Sequence, residues 1–180
     1  MRYRPLSPSA LSAAAVLLFV GLGASNSSAQ ESAPVEPEQT FTGRVADVTD
    51  GDTFDVERPI GDTVTVQLWG VDAPEFTQPY GDDATRKARK YVGDANVRVE
   101  VKEIDTDGRA FACVQRQGVS LARLLVNRGV VWHADYTSGA TKLARLERQA
   151  RNVKRGLWTQ ESPVPPWTWR SRRSDSSGER

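Results

Sequence analysis

The sequence is short of cysteine and histidine, and it carries almost no net charge. Cys113 is the only cysteine, so no disulfide can form within the chain. With one cysteine and one histidine, the sequence lacks the Cys/His ligand set of a zinc site. The formal net charge of +1 gives no argument for binding a polyanion. The 180 residues, of which 26% are charged, are enough for one domain with its own core.

Long apolar runs are also scarce, and the sequence has one, at residues 11–22. Two arginines precede this run, and three small residues that end at Ala29 follow it, which is the order of a cleaved secretory signal. The run is shorter than the about 20 apolar residues of a membrane-spanning helix, which favours cleavage over an uncleaved anchor. We therefore expect cleavage near Ala29 and a secreted or periplasmic chain without stable membrane association, its net charge then being −1.

The rest of the sequence shows two periodicities. Apolar residues at every second position predict short strands at residues 53–57, 63–68 and 97–101. Residues 41–48 and the apolar stretch 110–114 are predicted to be strands as well, which gives five. Apolar residues at spacings of three and four predict three helices, at residues 82–92, 120–127 and 140–155. With the first helix between the third and fourth strands, this order predicts an α+β fold built on a five-stranded Greek-key β-barrel of the OB type.

Helix ends and flanking segments carry further predictions. Asp82 or Asp83 is expected to cap the first helix, and the apolar stripe of the last helix is expected to bury Val153. A polar, proline-containing stretch before the first strand has the composition of a flexible leader. Near the C-terminus, an extended aromatic stretch is expected to pack on the domain, and the final ten residues are expected to be disordered. The predicted divisions are a signal (1–29), a leader (30–39), the OB domain (40–160) and the tail with its disordered end (161–180).

Two short acidic phrases flank the predicted hairpin of the second and third strands. They are DGDT at residues 50–53 and VDAPE at residues 71–75. Because paired strands bring their ends together, we expect the carboxylates of Asp52, Asp72 and Glu75 to meet at one corner. Carboxylate oxygens suit a hard cation such as Ca²⁺, and Glu75, three residues after Asp72, is placed to hold a water. The corner therefore predicts a metal site beside a water-activating base.

The acidic phrases, with Gly108-Arg109 after them, resemble the thermonuclease (staphylococcal nuclease) family in their order and spacing. Three further phrases resemble its secreted bacterial members: QPYG, GLW and PWTW, at residues 78–81, 156–158 and 166–169. The resemblance covers residues 40–170. It implies an OB-fold, calcium-dependent phosphodiesterase that cleaves DNA and RNA with little sequence preference.

The resemblance also implies roles for individual residues. Asp52 and Asp72 match the carboxylate ligands of the calcium ion, and Ala73 matches a residue that binds it through the backbone carbonyl. The family usually has threonine at this third position, but because the ligand is a main-chain oxygen, alanine should be tolerated. Glu75 matches the general base that takes a proton from the attacking water. Arg109 matches an arginine that binds the scissile phosphate and its developing charge.

Gln67 departs from the family pattern. The family has a second catalytic arginine five residues before the metal-binding aspartate, and counting back from Asp72 this position is Gln67. Glutamine donates a neutral hydrogen bond where arginine donates a charged fork, and losing one preorganised donor lowers a rate by about 10²–10³-fold. We therefore expect Gln67 to bind substrate in an enzyme of reduced rate. Arg44 and Arg58 are candidates to supply the missing charge.

Other residues have simpler interpretations. Asp107 stands where the family often has a tyrosine or a basic residue, so it should weaken nucleotide binding. Tyr136 is a candidate to stack on the substrate, and a surface-loop tyrosine is the equal alternative. Asp50 is assigned to the turn and not to the metal. His133 and Cys113 are expected to be packed residues without a catalytic role.

Three functions from different classes remain open. The retained carboxylates and Arg109 favour a secreted nuclease that hydrolyses DNA and RNA as a monomer. Gln67 and Asp107 would instead suit a catalytically weak or inactive nuclease-like OB module that binds nucleic acid or nucleotides. The third candidate is an envelope protein that uses a calcium-binding barrel for structure or for partner binding.

Overall fold

The computed structural model describes residues 34–134 and 141–177. The predicted signal, residues 1–29, and Tyr136 lie outside this part of the chain. The strands are β1 (Thr40–Val48), β2 (Thr53–Glu57), β3 (Thr63–Leu68), β4 (Val71–Asp72), β5 (Asn96–Ile104), β6 (Ala110–Arg116), β7 (Val119–Ser120) and β8 (Trp132–His133). The helices are α1 (Gly81–Val92), α2 (Leu121–Arg128), α3 (Thr141–Asn152) and α4 (Pro166–Ser177), with a 3₁₀ turn at Gly156–Thr159. None of these helices is long and apolar enough to cross a membrane.

The main sheet closes on itself to form a barrel. Hydrogen-bonded neighbours follow the order β3-β2-β1-β5-β6, and β7 extends the sheet beyond β6. The barrel closes where β3 returns to pair in parallel with β6, with Val66 opposite Ala110 and Leu68 opposite Ala112. The other pairings between barrel strands are antiparallel. The predicted α+β fold with an OB-type five-stranded barrel is confirmed.

The alternation of each strand determines which side chains fill the barrel. In β3, Val64, Val66 and Leu68 are buried, whereas Thr65 is exposed and Gln67 is half-buried. Fully burying a side chain of this size contributes about 1.5–3 kcal/mol to folding, so a shift of the strand by one residue would be strongly opposed. The same register holds Gln67 on the outer face of the barrel.

The start of α1 differs from the prediction. Tyr80 occupies the N-cap position with a φ of 75° and makes no side-chain capping hydrogen bond. Asp82 and Asp83 lie in the first turn, where each pairs with Arg86. Their charges there interact favourably with the positive end of the helix dipole. The predicted aspartate cap is therefore wrong, because these carboxylates lie inside the helix and not before it.

The end of α3 also differs from the prediction. The helix stops at Asn152, and Lys154 then adopts a φ of 48°. Val153 is consequently 61% exposed, whereas Ala150 and Leu157 are buried. The prediction that Val153 is buried was wrong, because it assumed that one helix continued through the turn.

The C-terminal segment forms a helix, so the predictions of an extended tail and of disorder after it are wrong for residues 166–177. Pro166 is the first helical residue, a position where its fixed φ and missing N–H are compatible with a helix. Trp167 packs edge-on against Trp132, with ring centroids 5.8 Å apart. The Trp132 ring in turn lies 4.5 Å from that of Trp158. The predicted packing of the aromatic segment on the domain is confirmed in this altered form.

The described part of the predicted leader is held on the barrel. Val35 is buried, and the backbone N–H of Glu38 donates to the carbonyl of Val101 at 2.9 Å. The N–H of Val101 donates in return to the carbonyl of Gln39 at 2.9 Å. Residues 34–39 are therefore part of the folded domain, which corrects the prediction of a flexible leader for them.

Candidate active site

The acidic phrases meet at one cavity of about 390 Å³. The hairpin of β2 and β3 aligns them, because Thr53 lies opposite Gln67 in the ladder and the N–H of Leu68 donates to the carbonyl of Asp52 at 2.9 Å. Ala73 and Pro74 also line the cavity. The polar side chains that converge on it include those of Asp52, Gln67, Asp72, Glu75, Arg109 and Arg170. Apart from Tyr136, every predicted site residue therefore lines the same cavity.

Asp52 is fixed by a turn that Asp50 builds. One carboxylate oxygen of Asp50 accepts the backbone N–H groups of Asp52 at 2.9 Å and of Thr53 at 2.7 Å. This is the turn role that the sequence predicts for Asp50. The carboxylate of Asp52, only 2% exposed, accepts the N–H of Ala73 at 2.8 Å and the hydroxyl of Thr53 at 3.0 Å. It thereby ties the first acidic phrase to the second.

Burial and crowding make the ionised carboxylates unfavourable. Burial raises the pKa of Asp52 well above its usual range, and the neighbouring carboxylates of Asp50 and Asp72 raise it further. Burial also raises the pKa of Asp72, although the hydrogen-bonded guanidinium of Arg170 opposes this effect. Charges that repel each other in a poorly solvated place are stabilised by a cation.

A short loop after β4 positions Glu75. The N–H of Gln78 donates to the carbonyl of Glu75 at 2.8 Å, and the side-chain oxygen of Gln78 accepts the N–H of Glu75 at 3.2 Å. Gly81 then starts α1 directly against this loop. A Cβ atom at Gly81 would lie 1.9 Å from the carbonyl oxygen of Glu75, so glycine is required for this close approach.

Gly81→Ala is expected to lower the free energy of unfolding by about 1–3 kcal/mol, because the added methyl group must displace the backbone of Glu75. Urea denaturation of the purified protein measures the change. Lys90→Ala, at an exposed position of the same helix, is the control and should change stability by less than about 0.5 kcal/mol. Equal stability of Gly81→Ala and the wild type would contradict this prediction, because it would show that the loop of Glu75 can move to accommodate the methyl group.

Arg109 reaches the cavity from the turn between β5 and β6. Gly108 makes this turn with a φ of 80°. The guanidinium of Arg109 donates to Asp105 at 3.0 Å through Nε and lies 5.4 Å from the centroid of Phe111. Arg109 also borders a larger cavity of about 610 Å³, which contains Asp107 but none of the predicted metal ligands. Asp107 therefore lies beside Arg109 but does not line the cavity that contains Asp52, Asp72 and Glu75.

The cation that accompanies Arg109 comes from α4. Arg170 Nη1 donates to Asp72 at 3.1 Å and to Glu75 at 2.6 Å, and Arg170 Nη2 donates to Asp72 at 2.7 Å. The hydrogen bonds to Asp72 are the main reason that the pKa of Arg170 is raised. Sequence reasoning missed this residue, because the segment that carries it was taken to be extended. The PWTW phrase, predicted to pack on the domain, was the available signal.

The two arginines proposed to replace the missing charge lie elsewhere. Arg44 donates to Glu57 at 3.0 Å and to Asp94 at 3.1 Å. Arg58 donates to Asp62 at 2.7 Å through Nε. Neither borders the cavity of the carboxylates, so the suggestion that Arg44 or Arg58 compensates for Gln67 is wrong.

His133 and Cys113 lie outside the cavity. His133 is buried in β8, opposite Val71 of β4, which agrees with a packed residue. Cys113 is half-buried in β6, and this burial raises the pKa of its thiol. The thiol is therefore kept protonated, although it is less buried than the sequence suggested.

Comparisons with known proteins agree with the fold. The family model of staphylococcal nuclease homologues matches residues 65–160. A protein of Escherichia coli called an uncharacterized endonuclease is 36% identical over 132 residues, which are 73% of this chain and 86% of that protein. The micrococcal nuclease of Shigella flexneri is 31% identical over 141 residues, 72% of this chain and 80% of that protein. A probable staphylococcal-like nuclease of Oryza sativa, CAN1, is 33% identical over 105 residues, 58% of this chain and 32% of that protein. This chain belongs to the staphylococcal nuclease family.

Proposed function

We propose that this chain is a calcium-dependent nuclease that hydrolyses DNA and RNA with little sequence preference, in the secreted or periplasmic location that residues 1–29 predict. The observation that carries the proposal is the convergence of Asp52, Asp72, Glu75 and Arg109 on one cavity. Carboxylates for a cation, a carboxylate for a proton and a guanidinium for a phosphate are the parts that phosphodiester hydrolysis needs.

The donor set suits a hard divalent cation. Within the described residues, no group of three or more Asp, Glu, His or Cys side chains is arranged around a common metal position. The proposed ligands are two carboxylates, Asp52 and Asp72, and the carbonyl of Ala73, all of them oxygen donors. The raised pKa values of the two aspartates, caused first by burial, agree with a place where a cation would relieve unfavourable charge. When bound, calcium would supply charge neutralisation to the phosphodiester.

The exposure of the three carboxylates separates their roles. The side chain of Asp72 is 10% exposed, whereas that of Glu75 is 37% exposed. Asp52 and Asp72 are therefore sheltered as cation ligands should be, and Glu75 can reach a solvent water. In the proposed reaction Glu75 takes a proton from this water, and the oxygen of the water bonds to phosphorus. The leaving oxygen departs with the bonding electron pair and takes up a proton from solvent.

Arg109 is placed to stabilise the charge that develops on the phosphate. Its side chain is 40% exposed and paired with Asp105. The backbone N–H and the guanidinium of Arg109 both hydrogen-bond Asp105 and hold the pKa of that carboxyl below its usual range. Asp105 therefore stays ionised and orients the guanidinium, which acts most effectively when it is preorganised.

A nuclease assay on the purified protein tests the proposal. Single-stranded DNA, duplex DNA and RNA should all be cleaved with calcium, and excess chelator should abolish cleavage until calcium is restored. Cleavage that persists at full rate in chelator would contradict the metal dependence.

A second candidate is the binding module without catalysis, which the neutral Gln67 in the cavity favours. This candidate predicts that oligonucleotides bind with calcium present while none of the three substrates is cleaved at high protein concentration. The same assay therefore separates the two functions.

A further inference from the structure

The helix that carries Arg170 is docked beside the candidate site. Trp167 packs against Trp132 of the domain. The side chain of Gln78 donates to the carbonyl of Val164 at 2.5 Å, and Arg173 donates to the hydroxyl of Thr77 at 3.0 Å. Gln78 and Thr77 belong to the loop that follows Glu75. α4 is therefore attached both to the core and to the loop that carries the proposed base.

The guanidinium of Arg170 borders the cavity without filling it. About 390 Å³ of space remains with Arg170 in the wall, and its side chain is 50% exposed. A guanidinium has five N–H donors, and three of those of Arg170 point to Asp72 and Glu75. The other two, on Nε and Nη2, make no hydrogen bond to the described part of the chain. Arg170 thus has donors available at the opening of the site.

The balance of charge in the cavity calls for a second cation. The lining includes four carboxylates, those of Asp50, Asp52, Asp72 and Glu75, and a phosphodiester would add another negative charge. Among the described residues, Arg109 and Arg170 are the cations in this lining, and Arg109 is already shared with Asp105. Gln67 supplies no charge. Arg170 is therefore the cation that can join Arg109 on a substrate, because two of its N–H donors are not used by Asp72 and Glu75.

We propose that Arg170 is the second phosphate-binding catalytic residue of this enzyme, supplied by the C-terminal helix in place of the strand position that Gln67 occupies. The inference rests on the proposed function and deepens it. In the free chain the guanidinium lies on Asp72 and Glu75. When a phosphodiester enters, the guanidinium donates to its non-bridging oxygens and stabilises the charge that develops there. The contact with Glu75 at 2.6 Å keeps it close to the proposed base.

Arg170→Gln tests the proposal by cleavage rate. It is expected to lower kcat/KM by about 10²–10³-fold, the effect of losing one preorganised donor. Arg172→Gln removes the same charge from an exposed position of the same helix and should change kcat/KM little. An unchanged rate in Arg170→Gln overturns the proposal. A higher rate also overturns it and would identify Arg170 as an inhibitory contact.

A second arginine at the strand position provides a test by rescue. Gln67→Arg combined with Arg170→Gln should recover most of the lost kcat/KM, because Gln67 and Arg170 border the same cavity. The comparison is made between two variants that both lack Arg170, so it does not depend on any effect of that change on folding. If the double variant cleaves no faster than Arg170→Gln alone, the idea that Arg170 replaces an arginine at the strand position is overturned.

Binding separates this inference from the proposed function. The probe is a single-stranded phosphorothioate oligonucleotide in the presence of calcium, followed by fluorescence anisotropy. Arg170→Gln is expected to weaken binding at least about tenfold more than Arg172→Gln, since it removes a charge-assisted hydrogen bond to the phosphate. If the wild type cleaves no substrate, the proposed function fails, and binding still decides the role of Arg170. If Arg170→Gln and Arg172→Gln bind the oligonucleotide equally well, the proposed role of Arg170 is overturned.

Discussion

Glu75→Gln is expected to lower the rate of DNA and RNA cleavage by about 10²–10⁴-fold, the usual contribution of a positioned general base. Glutamine is nearly the same size as glutamate but cannot accept a proton from water at neutral pH. The site should otherwise persist, because Asp72 retains two of the three hydrogen bonds from Arg170. The measurement is kcat on a single-stranded DNA substrate with saturating calcium.

The stability of the same variant distinguishes a base from a metal ligand. Calcium should raise the unfolding temperature of Glu75→Gln as much as that of the wild type, because the proposed ligands, Asp52, Asp72 and Ala73, are unchanged. Glu161→Gln, an exposed acid outside the cavity, is the control and should keep the full rate. Wild-type cleavage by Glu75→Gln would remove Glu75 from the mechanism. If calcium no longer raised the unfolding temperature of Glu75→Gln, Glu75 would instead be identified as a metal ligand.

Much of the barrel and of its acidic corner could be predicted, because both depend on local patterns. β2 and β3 have the bounds that alternation gave, Thr53–Glu57 and Thr63–Leu68. A hairpin brings together the residues at its two ends, so the meeting of Asp52 with Asp72 follows from the turn between its strands. The turn role of Asp50 is equally local, since its carboxylate accepts N–H groups two and three residues ahead.

The cationic side of the site could not be predicted in this way. Arg170 and Asp72 are separated by 98 positions, and no periodicity links them. α4 continues after Trp169 with arginine, serine and one aspartate, a composition that predicts neither a core helix nor a fixed position. Most helices of this length depend on tertiary contacts, here those of Trp167 with Trp132. Local propensity therefore identified the carboxylates but missed the arginine paired with them.

Asp52→Asn is expected to abolish the stabilisation by calcium without destabilising the protein in chelator. Asp52 is buried, and its pKa is raised by that burial and by Asp50 and Asp72. Because the pKa in the folded state is raised, ionised Asp52 opposes folding once the pH exceeds it, and a neutral side chain removes this effect. Asparagine retains an oxygen that can accept the N–H of Ala73. In chelator the free energy of unfolding should therefore equal or exceed that of the wild type.

With calcium the order of stability should reverse. A site that binds only the folded chain adds about 2.7 kcal/mol when the calcium concentration is 100 times Kd, and Asp52→Asn should lose this gain together with calcium-dependent cleavage. Denaturation of wild type and variant in calcium and in chelator measures both effects. Asp107→Asn, which removes an exposed charge outside the cavity of the carboxylates, is the matched control and should keep the full calcium effect. A site that has lost one of its two carboxylates cannot keep the same affinity for a hard divalent ion. If calcium stabilised Asp52→Asn as much as the wild type, the cation would therefore be bound elsewhere.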